Sequence, residues 1–417
     1  MKKFAFFFIM IFTSNMVSAS HVMGGELTWR CGGGGVYTFE LVFYRDCNGA
    51  EVNVVSETIR VWNHPLISQI TLDFVSRTDI SPSCTEVSGS PPMLECGIGS
   101  AGGNGSGAIE QVVYRQDYIL SGTPPSEGWI FTYENFSRSN TLTNIENPSS
   151  YGITIAATIF PSPNSASNEC TDSSPQFLQS PYFVTCAGSE YRYNMNAVDP
   201  DLDSMLFEFG TPYDHFPTGT YDPPNNPIPV PFESGFAATS PTPGPSNDPN
   251  NIEATINNAT GELIFTSYTS GNFNIKILVK SYRQGVLVSQ VEREMQVVVL
   301  PCSSVNDAPS ITPPFPGNSF EVDIIAGDLV SFDLIANDFD LLQDGSNQNV
   351  IITASGPMFG ANYTSDLGCD IEPCATLNNS PPIVASQTAN ALFSWQTTCD
   401  HLINQFGEAA DVIPYDF

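Results

Sequence analysis

Apolar and polar residues alternate with a period of two in many short stretches of this chain. The first clear case is residues 26–30, which are followed by the glycine run 32–35 and by alternating apolar residues over 37–43. A period of two places every second side chain on one face of a strand, so that one face can be buried. Two such stretches on either side of a glycine-rich turn predict a β-hairpin.

Similar stretches recur along the chain and are separated by turn-forming residues. With 32 Gly and 33 Pro in 417 residues, the composition is typical of short strands joined by irregular loops. We therefore predict an all-β fold of tandem immunoglobulin-like or cadherin-like β-sandwich domains after a signal peptide. The further predicted strands are residues 59–62, 70–74, 112–118, 129–133, 153–159, 261–265, 274–279, 295–300 and 391–395.

An internal repeat lies in the second half of the chain. Residues 187–201 begin with Ala-Gly, continue with alternating Tyr and Met side chains and end in Ala-Val-Asp-Pro-Asp. Residues 326–340 begin with Ala-Gly, alternate Val, Phe and Leu, and end in Ala-Asn-Asp-Phe-Asp, 139 positions further along. In both copies a half-buried strand is followed by an acidic loop. We interpret them as two copies of one β-sandwich unit.

This register, together with linkers rich in Pro, Ser and Asn, divides the chain into four predicted parts. The last part is short after its final predicted strand, so we expect it to lack a closing strand and the polypeptide to continue beyond residue 417. Within the middle part, residues 212–249 contain eleven prolines and are predicted to form a stiff surface loop. The parts are a signal peptide (1–19), an N-terminal β domain (20–165), a cadherin-like or PKD-like β-sandwich (166–302) and a second β-sandwich repeat (303–417), truncated at its C-terminus.

The first residues have the features of a secretory signal peptide. Lys2 and Lys3 precede the apolar run 4–12, and small residues before Ser20 predict cleavage after Ala19. A lipoprotein would have Cys where this chain has Ser20, which argues against a lipid anchor. No later apolar run reaches the roughly 18 residues of a membrane span. We expect a secreted, extracellular chain that is associated with the cell surface and is not itself inserted in the membrane.

The charge of the chain is strongly one-sided. There are 44 Asp+Glu against 13 Lys+Arg, a formal net charge of -31, and residues 303–417 contain no Lys or Arg at all against fifteen acids. Such a chain repels nucleic acids and anionic membranes, which excludes nucleic-acid binding. The expected counter-charges are cations or cationic partners.

Ten cysteines, an even number, are consistent with disulfides formed in an oxidising compartment. A cysteine-ligated metal is the weaker interpretation, because the chain has no Cys-x-x-Cys pair and its four histidines are scattered. Connectivity stays open at this point, but complete pairing is expected. Cys84 with Cys96 and Cys369 with Cys374 are the most plausible local bridges.

Closely spaced acids in the repeated loop form the sharpest site prediction. Calcium is held by about six to eight oxygens, which neighbouring aspartates on one loop can supply. The alternative is that Asp and Asn simply favour turns at strand ends. In both copies a linker residue with a side-chain oxygen precedes the loop at a similar distance, which favours an ion at each domain junction. The predicted ligands of this structural Ca²⁺ are Asp172, Asp199, Asp201 and Asp203 in the first copy, and Asn306, Asp307, Asp338 and Asp340 in the second.

Signatures of catalysis are missing from the sequence. It contains no Gly-x-Ser-x-Gly elbow, no P-loop and no Rossmann glycine pattern. Paired acids such as Asp199 and Asp201 on one tight loop are better placed to share a cation than to flank a sugar. The chain is predicted to be non-enzymatic, with no catalytic residue and no organic cofactor.

Two motifs near the N-terminus resemble the start of large gliding-motility-associated surface proteins of Gram-negative bacteria. They are residues 20–31 (SHVMGGELTWRC) and residues 44–49 (YRDCNG). The middle part, with residues 197–203, 232–245 and 281–283, is similar to the cadherin-like or PKD-like repeats of that family. This resemblance implies passage through the type IX secretion route by means of a C-terminal sorting domain, attachment to the cell surface, and adhesion.

The predicted function is therefore that of a secreted, adhesin-like surface protein with Ca²⁺-stiffened domain junctions. Its expected partners are an extracellular surface ligand or polysaccharide, and the secretion machinery through a C-terminal region beyond residue 417. The alternative is a carbohydrate-binding or accessory module of an exported polysaccharide-degrading enzyme. Such a platform needs exposed coplanar aromatic rings, and the four tryptophans lie mostly within strand patterns.

Overall fold

The computed structural model shows an all-β protein, which confirms the all-β part of the predicted fold; the tandem immunoglobulin-like or cadherin-like sandwiches stay a prediction. Within the described residues there is no α-helix, and the two 3-10 turns are Pro148–Ser150 and Cys399–Leu402. No helix of the described ranges is both long and apolar enough to span a membrane. The predicted signal peptide lies outside them. The structure describes residues 22–49, 55–82, 96, 107–136, 138–162, 170–181, 183–302, 309–342, 345–404, 407 and 409.

The described residues of the N-terminal part form seven strands, and each of the stretches predicted there lies within one of them. The predicted hairpin is β1 and β2, whose turn is closed by a hydrogen bond from Gly32 N to Val36 O. The strands are β1 (Val22–Cys31), β2 (Val36–Asp46), β3 (Ser56–Trp62), β4 (Gln69–Asp79), β5 (Ile109–Ile119), β6 (Trp129–Asn135) and β7 (Ile153–Ile159).

Nine strands lie in the part of residues 166–302 that the structure describes, and the last two form a long hairpin. The proline-rich loop 212–249 contains none of them, as predicted. The strands are β8 (Gln176–Phe177), β9 (Val184–Cys186), β10 (Glu190–Tyr193), β11 (Ala197–Val198), β12 (Ser204–Phe209), β13 (Ile252–Ile256), β14 (Leu263–Thr266), β15 (Gly271–Arg283) and β16 (Val286–Leu300).

The C-terminal part has a small apolar core of its own, and its strands are mostly short. A contact to the middle part is made by Asn196 Nδ2, which donates to Ser355 Oγ at 2.9 Å. The core residues are Phe332, Met358, Phe359, Ala375, Leu377, Ala391, Phe393 and Trp395. The strands are β17 (Ser310–Ile311), β18 (Leu329–Asn337), β19 (Asn349–Ile352), β20 (Thr376–Leu377), β21 (Ile383–Ser386) and β22 (Thr388–Gln396).

One long strand, β16, joins the N-terminal and middle parts. On one side β16 pairs with β15 along its whole length, and on the other side it pairs successively with β7, β1 and β9. Since β1 and β7 are the two ends of the order β1-β2-β5-β4-β3-β6-β7, the pairings close into a ring. Strands from both sides of residue 165 share this sheet and one hydrophobic core. As a domain boundary, residue 165 stays a prediction.

The junction of β1 with β16 depends on a glycine. Gly24 has φ +146 and pairs with Met295. A Cβ added at Gly24 would overlap the Glu294 carbonyl oxygen and crowd the backbone of β16. Only glycine lets the two backbones approach this closely in this conformation.

Charged side chains are buried along β15 and β16 and are paired with each other or with neighbouring segments. Removing a charge from water is costly unless it is paired, so these contacts hold the strands in one register. Lys276 also donates from Nζ to the Thr154 carbonyl at 3.0 Å. The pairs are Lys276 with Glu292 at 2.8 Å, Arg138 with Glu294, and Arg293 with Glu26.

The two repeat copies have the same strand pairing. In the first copy β10 runs antiparallel to β14, with Tyr191 opposite Phe265. In the second copy β18 runs antiparallel to β22, with Phe332 opposite Phe393. Both aromatic pairs are stacked, with ring centroids 4.7 Å and 4.8 Å apart. The repeated pattern of apolar residues therefore corresponds to a repeated pair of strands.

Eight cysteines form disulfides, which indicates an oxidising environment. The predicted bridge between Cys369 and Cys374 is confirmed, whereas Cys96 bonds to Cys47, so the predicted Cys84–Cys96 bridge is wrong. Cys84 lies outside the described residues. Cys399 is free and exposed, so complete pairing is not found in the described part. The bridges are Cys31–Cys170, Cys47–Cys96, Cys186–Cys302 and Cys369–Cys374.

Candidate metal centre

The linker that carries Asp172 lies beside the first acidic loop. The disulfide Cys31–Cys170 fixes the start of the linker to the end of β1. Trp29 Nε1 then donates to the Asp172 carbonyl oxygen at 3.0 Å. A few residues later β8 pairs antiparallel with β11, the short strand that leads into the acidic loop. These anchors bring residues far apart in sequence to one place.

The acidic loop is a tight turn built around Asp199. Asp199 Oδ1 accepts hydrogen bonds from the backbone N of Asp201 at 2.9 Å and of Asp203 at 3.4 Å. Aspartate favours such turns because its side chain can bond to the backbone two residues further on. Leu202 adopts φ +61, which completes the turn before β12 begins at Ser204. The turn directs the side chains of Asp201 and Asp203 to the same side as Asp172.

Arg283, the last residue of β15, lies among these carboxylates. Its Nη2 donates to Asp172 Oδ1 at 2.9 Å, to Asp203 Oδ2 at 2.7 Å and to Asp201 Oδ2 at 3.2 Å. Its Nε donates to Asp203 Oδ1 at 3.0 Å and its Nη1 to the Thr171 carbonyl at 2.8 Å. One guanidinium therefore contacts three carboxylates and the backbone of the linker.

All four aspartates of the first copy are buried. Their exposed fractions are 0% for Asp172, 7% for Asp199, 1% for Asp201 and 7% for Asp203. Asp199 Oδ2 accepts a hydrogen bond from Ser281 Oγ at 2.5 Å. This neutral donor replaces part of the hydrogen bonding that the carboxylate loses on leaving water. If all four are ionised, one guanidinium leaves three negative charges uncompensated in a site shielded from water.

One oxygen of this cluster has no hydrogen-bond partner. Asp172 Oδ2 is buried and accepts no hydrogen bond, although Asp172 Oδ1 bonds to Arg283. An unpaired buried acceptor is costly, and more so when it is charged. Carboxylate oxygens of Asp172, Asp201 and Asp203 lie within 4.8 Å of one another. The unpaired oxygen belongs to one of these three aspartates, Asp172.

Burial and mutual repulsion both act on the ionisation of the cluster. Burial, and then the charges of neighbouring aspartates, raise the pKa of Asp172 and the pKa of Asp199 well above the usual range of a carboxyl group. Burial by itself would lower the pKa of Arg283, but the carboxylates of Asp203, Asp172 and Asp201 raise it, so the guanidinium stays charged. The excess negative charge calls for a bound proton or a further cation.

The donor set fits a hard divalent cation. All the available ligand atoms are oxygens, from carboxylates and from the backbone, and Ca²⁺ prefers such ligands. The Asp172 oxygen without a partner supplies a ligand atom that Arg283 does not already engage. Three carboxylates are fewer than the ligands that Ca²⁺ usually takes, so water or backbone oxygens would complete the coordination.

The second copy is only partly comparable. Asp340 N donates to Asp338 Oδ1 at 3.0 Å, which is the counterpart of the bond from Asp201 to Asp199. Asp338 is buried and Asp340 is half-buried. The other predicted ligands of this copy, Asn306 and Asp307, lie outside the described residues. In the part of the chain that the structure describes, no third acid joins the pair in a group of metal-binding geometry.

Sequence reasoning missed the residues that complete the first cluster. Arg283 lies 80 positions after Asp203, and Ser281 lies 82 positions after Asp199. Both lie at the end of β15. A strand pattern there predicts only that side chains alternate between the two faces, and it does not predict which other segment they contact. Residues 281–283 belong to the stretches that resemble the family repeats, but the resemblance gave them no role at the acidic loop. The rarity of basic residues, 13 Lys+Arg against 44 acids, was a further signal.

A second group of potential ligands is Cys47, Cys96 and Glu110. The two sulfurs form a disulfide, so they are not thiolates and do not bind a metal. Glu110 is held by Arg45 and by Arg77, the latter at 2.6 Å. This group is a disulfide beside an ion-pair network.

Comparisons with known proteins do not identify a family. No protein-family model matches the chain, and a search of curated proteins finds no significant match. The resemblance to gliding-motility-associated surface proteins therefore stays a prediction from the two N-terminal motifs and the repeat.

Proposed function

We propose that this chain is an exported, non-enzymatic surface protein of adhesin type, made of tandem cadherin-like β-sandwich modules that a bound Ca²⁺ makes rigid. The observation that carries the proposal is the buried cluster of Asp172, Asp199, Asp201 and Asp203. Four buried acids there face one guanidinium, that of Arg283, so acidic groups are in excess, and one carboxylate oxygen has no hydrogen-bond partner. Calcium would neutralise this excess at the junction of the N-terminal and middle parts.

The position of the cluster explains how an ion would stiffen the protein. Its residues come from the linker at Asp172, from the acidic loop 199–203 and from the end of β15. The linker is also bonded to β1 through Trp29 and the disulfide Cys31–Cys170. An ion that bridges these segments would restrain the linker relative to the acidic loop, the end of β15 and β1. Rigid modules hold a binding surface away from the cell, which is the mechanical requirement of an adhesin.

The chemical setting supports a role outside the cytoplasm. Four disulfides require an oxidising environment, and the net charge of -31 makes nucleic acids improbable partners. Type IX secretion, attachment to the cell surface and an extracellular ligand or polysaccharide are the further elements of the proposal. They rest on the resemblance of residues 20–31 and 44–49.

The carbohydrate-binding alternative needs aromatic rings that a sugar can stack on. Trp29 and Trp129 are almost fully buried and Trp395 is 5% exposed. Trp62 is half-buried, and the Arg60 guanidinium lies over its ring, 4.7 Å from the centroid. These positions disfavour a flat tryptophan platform, so the adhesin is the better-supported function.

The calcium part of the proposal is tested by thermal unfolding of the chain from Ser20 to Phe417. Ligand binding to the folded state alone stabilises it, by about 2.7 kcal/mol when the free ligand is at 100 times its Kd. We expect Ca²⁺ to raise the unfolding midpoint relative to chelator, and Asp172→Asn to abolish the rise. Asp73→Asn, at an exposed strand position of the N-terminal part, is the matched control. Equal midpoints with Ca²⁺ and with chelator would overturn the calcium site.

Adhesion is tested with beads that carry the same chain, measured under flow on glycan-coated and bare surfaces. The proposal predicts that bead retention falls when calcium is chelated. Beads that carry the Asp172→Asn variant should be retained poorly both with calcium and with chelator. Release of reducing sugar from the glycan would contradict a non-enzymatic role. If the beads are retained only when a soluble polysaccharide-degrading enzyme is added, the accessory-module alternative is favoured.

A further inference from the structure

The strand β18 in the C-terminal part has an edge that is largely unpaired. On one side all nine of its residues pair with β22. On the other side β17 pairs only with Ala336 and Asn337, and Thr312 N donates to the Ile335 carbonyl at 2.9 Å. In the part of the chain that the structure describes, no strand pairs with residues 329–334 on this side. We call this stretch the open edge.

The backbone groups that face the open edge can be assigned by alternation. The Ile335 carbonyl is directed to the β17 side, because it accepts from Thr312 N there. In an antiparallel strand, residues two apart direct their N–H and C=O groups to the same side. Asp333 and Ser331 therefore present backbone donors and acceptors to the open edge. Such a row is a template for a further strand.

The segment that precedes β18 has the pattern of a strand, and within the described residues no strand pairs with it. Residues 320–325 read Phe-Glu-Val-Asp-Ile-Ile, and all six are exposed. The exposed fraction is 61% for Phe320, 46% for Val322 and 77% for Ile325. Leu329, at the start of the open edge, is 62% exposed. Exposed apolar side chains in the segment that leads into an unpaired strand edge are a feature of surfaces that a partner covers.

The charge of this part selects the kind of partner. Residues 303–417 contain fifteen Asp and Glu and no Lys or Arg. Asp333 is exposed on the open edge, and Glu321 and Asp323 are exposed in the segment that precedes β18. A second copy would bring like charges together, which is unfavourable when they face each other across strands. A basic strand would have complementary charge.

We propose that the open edge of β18 is the docking site for an extended segment of a partner protein in which basic and apolar side chains alternate. Its backbone would pair with Ser331 and Asp333. Its basic side chains would lie on the same face of the sheet as Ser331 and Asp333, and its apolar side chains would lie on the opposite face, beside Val330, Phe332 and Leu334. Main-chain pairing supplies affinity in this mode, and alternate side chains supply specificity. The proposal does not depend on the calcium cluster.

The test uses fluorescent nonapeptides and the whole chain from Ser20. The probe alternates Lys and Val, and its counterpart alternates Glu and Val. Two further Lys–Val peptides carry N-methyl groups, one on the even positions and one on the odd positions. N-methylation removes backbone donors on one side of a strand without changing side-chain charge. Fluorescence anisotropy measures the binding of each peptide.

Strand pairing predicts an asymmetry between the methylated peptides. One of them should bind about tenfold more weakly than the unmodified probe, since it loses the donors that face β18, and the other should bind within about threefold. The Glu–Val peptide should not bind. Equal binding of the two methylated peptides would show adsorption by charge alone and would overturn the proposal, as would failure of the Lys–Val peptide to bind.

Two variants locate the site on the protein. Asp333→Asn removes an exposed charge at the open edge and should weaken the Lys–Val peptide about threefold or more. Asp73→Asn, an exposed aspartate on β4 of the N-terminal part, should change binding by less than the measurement error. Equal effects of the two substitutions would contradict a site at β18. Sedimentation of the chain as a dimer without the Lys–Val peptide, and as a monomer with it, would identify a second copy as the occupant and would also overturn the proposal.

Discussion

Arg283 Nη2 lies 2.9 Å from Asp172 Oδ1, across 111 positions of sequence. This bond connects the end of β15 to the linker that leads from the N-terminal part into the middle part. The same nitrogen also donates to Asp201 and Asp203. Arg283 therefore holds the acidic loop and the linker together, but it neutralises only one of the charges. The predictions below follow from this imbalance.

Replacement of Arg283 by Gln should destabilise the protein strongly when calcium is absent. The substitution leaves buried carboxylates without the guanidinium of Arg283, and breaking a buried ion pair on one side costs about 3–5 kcal/mol. Denaturant unfolding in chelator measures the loss. Calcium should restore part of it, because the metal would neutralise the same carboxylates.

Arg192 offers the matched control for this substitution. It also contacts two acids, Glu190 at 3.0 Å and Glu262 at 2.7 Å, but its side chain is 54% exposed. Exposed ion pairs contribute about 0–1 kcal/mol, so Arg192→Gln should change stability by less than about 1 kcal/mol. If Arg283→Gln and Arg192→Gln lower the free energy of unfolding by similar amounts, the buried ion pairs of Arg283 contribute no more to stability than exposed ones.

Stability without calcium should increase as the pH is lowered from 8 to about 5.5. The pKa of Asp172 and the pKa of Asp199 are raised in the folded state by burial and by neighbouring carboxylates. Between the ordinary carboxyl pKa of about 4 and the raised values, the folded chain binds more protons than the unfolded chain. Its stability therefore falls as the pH rises through this window. Unfolding midpoints over the pH range measure the slope.

Comparison with a variant isolates the contribution of the cluster to this slope. Burial also raises the pKa of Glu26 and the pKa of Glu292, which act in the same direction. Asp172→Asn removes one titrating group and should reduce the slope by up to about 1.4 kcal/mol per pH unit. The stabilisation by calcium should shrink towards low pH, since protons and the ion compete. An unchanged slope in the variant would contradict protonation at Asp172.

Gly24→Ala should separate the N-terminal part from β16. The added Cβ meets the Glu294 carbonyl and the backbone of Met295, so β1 cannot keep its pairing. We expect a loss of at least about 2 kcal/mol, and the single transition of residues 22–302 should become broader or split. Gly33→Ala is the control, because a Cβ there meets nothing within 4 Å and the φ of +78 gives only local strain. Calorimetry distinguishes the two variants.

The disulfide pairs are checked by mass spectrometry of a non-reduced digest. We expect peptides that join Cys31 to Cys170 and Cys186 to Cys302. Replacing both Cys31 and Cys170 by Ser should cost about 2–5 kcal/mol, because that bridge closes a loop of 139 residues. Maleimide should label the exposed Cys399 in the folded protein. A Cys84–Cys96 peptide would contradict the bridge that Cys96 forms with Cys47.

The strands of the N-terminal part were predictable because their pattern is regular. In β2 the alternating residues Tyr37, Phe39 and Leu41 are all buried, as a period of two requires. The long hairpin of β15 and β16 was predicted only in fragments. Its charged residues, among them Lys276 and Arg293, interrupt the apolar pattern although they are buried and paired. A pattern of apolar residues cannot predict buried charged side chains, because their burial depends on ion-pair partners elsewhere in the chain.

Strand pairings between segments that are distant in the chain could not be predicted from the sequence. Residue Glu26 of β1 pairs with Arg293 of β16, and nothing local in either strand specifies the other. The acidic cluster was predictable in part, because the spacing of Asp199, Asp201 and Asp203 signals shared chemistry. Arg283 was not, since its position at the cluster depends on how β15 lies beside the acidic loop.

The most direct test of the calcium site uses Tb³⁺, which replaces Ca²⁺ at oxygen sites and emits when a nearby tryptophan is excited. Trp29 Nε1 donates to the Asp172 carbonyl, so an ion at the cluster would lie beside the indole. We predict sensitised emission that saturates at one Tb³⁺ for this site and that Ca²⁺ displaces. Asp201→Asn with Asp203→Asn should abolish it, whereas Asp338→Asn should not. Absence of sensitised emission, or equal emission from the Asp201/Asp203 variant, would contradict a metal ion at this cluster.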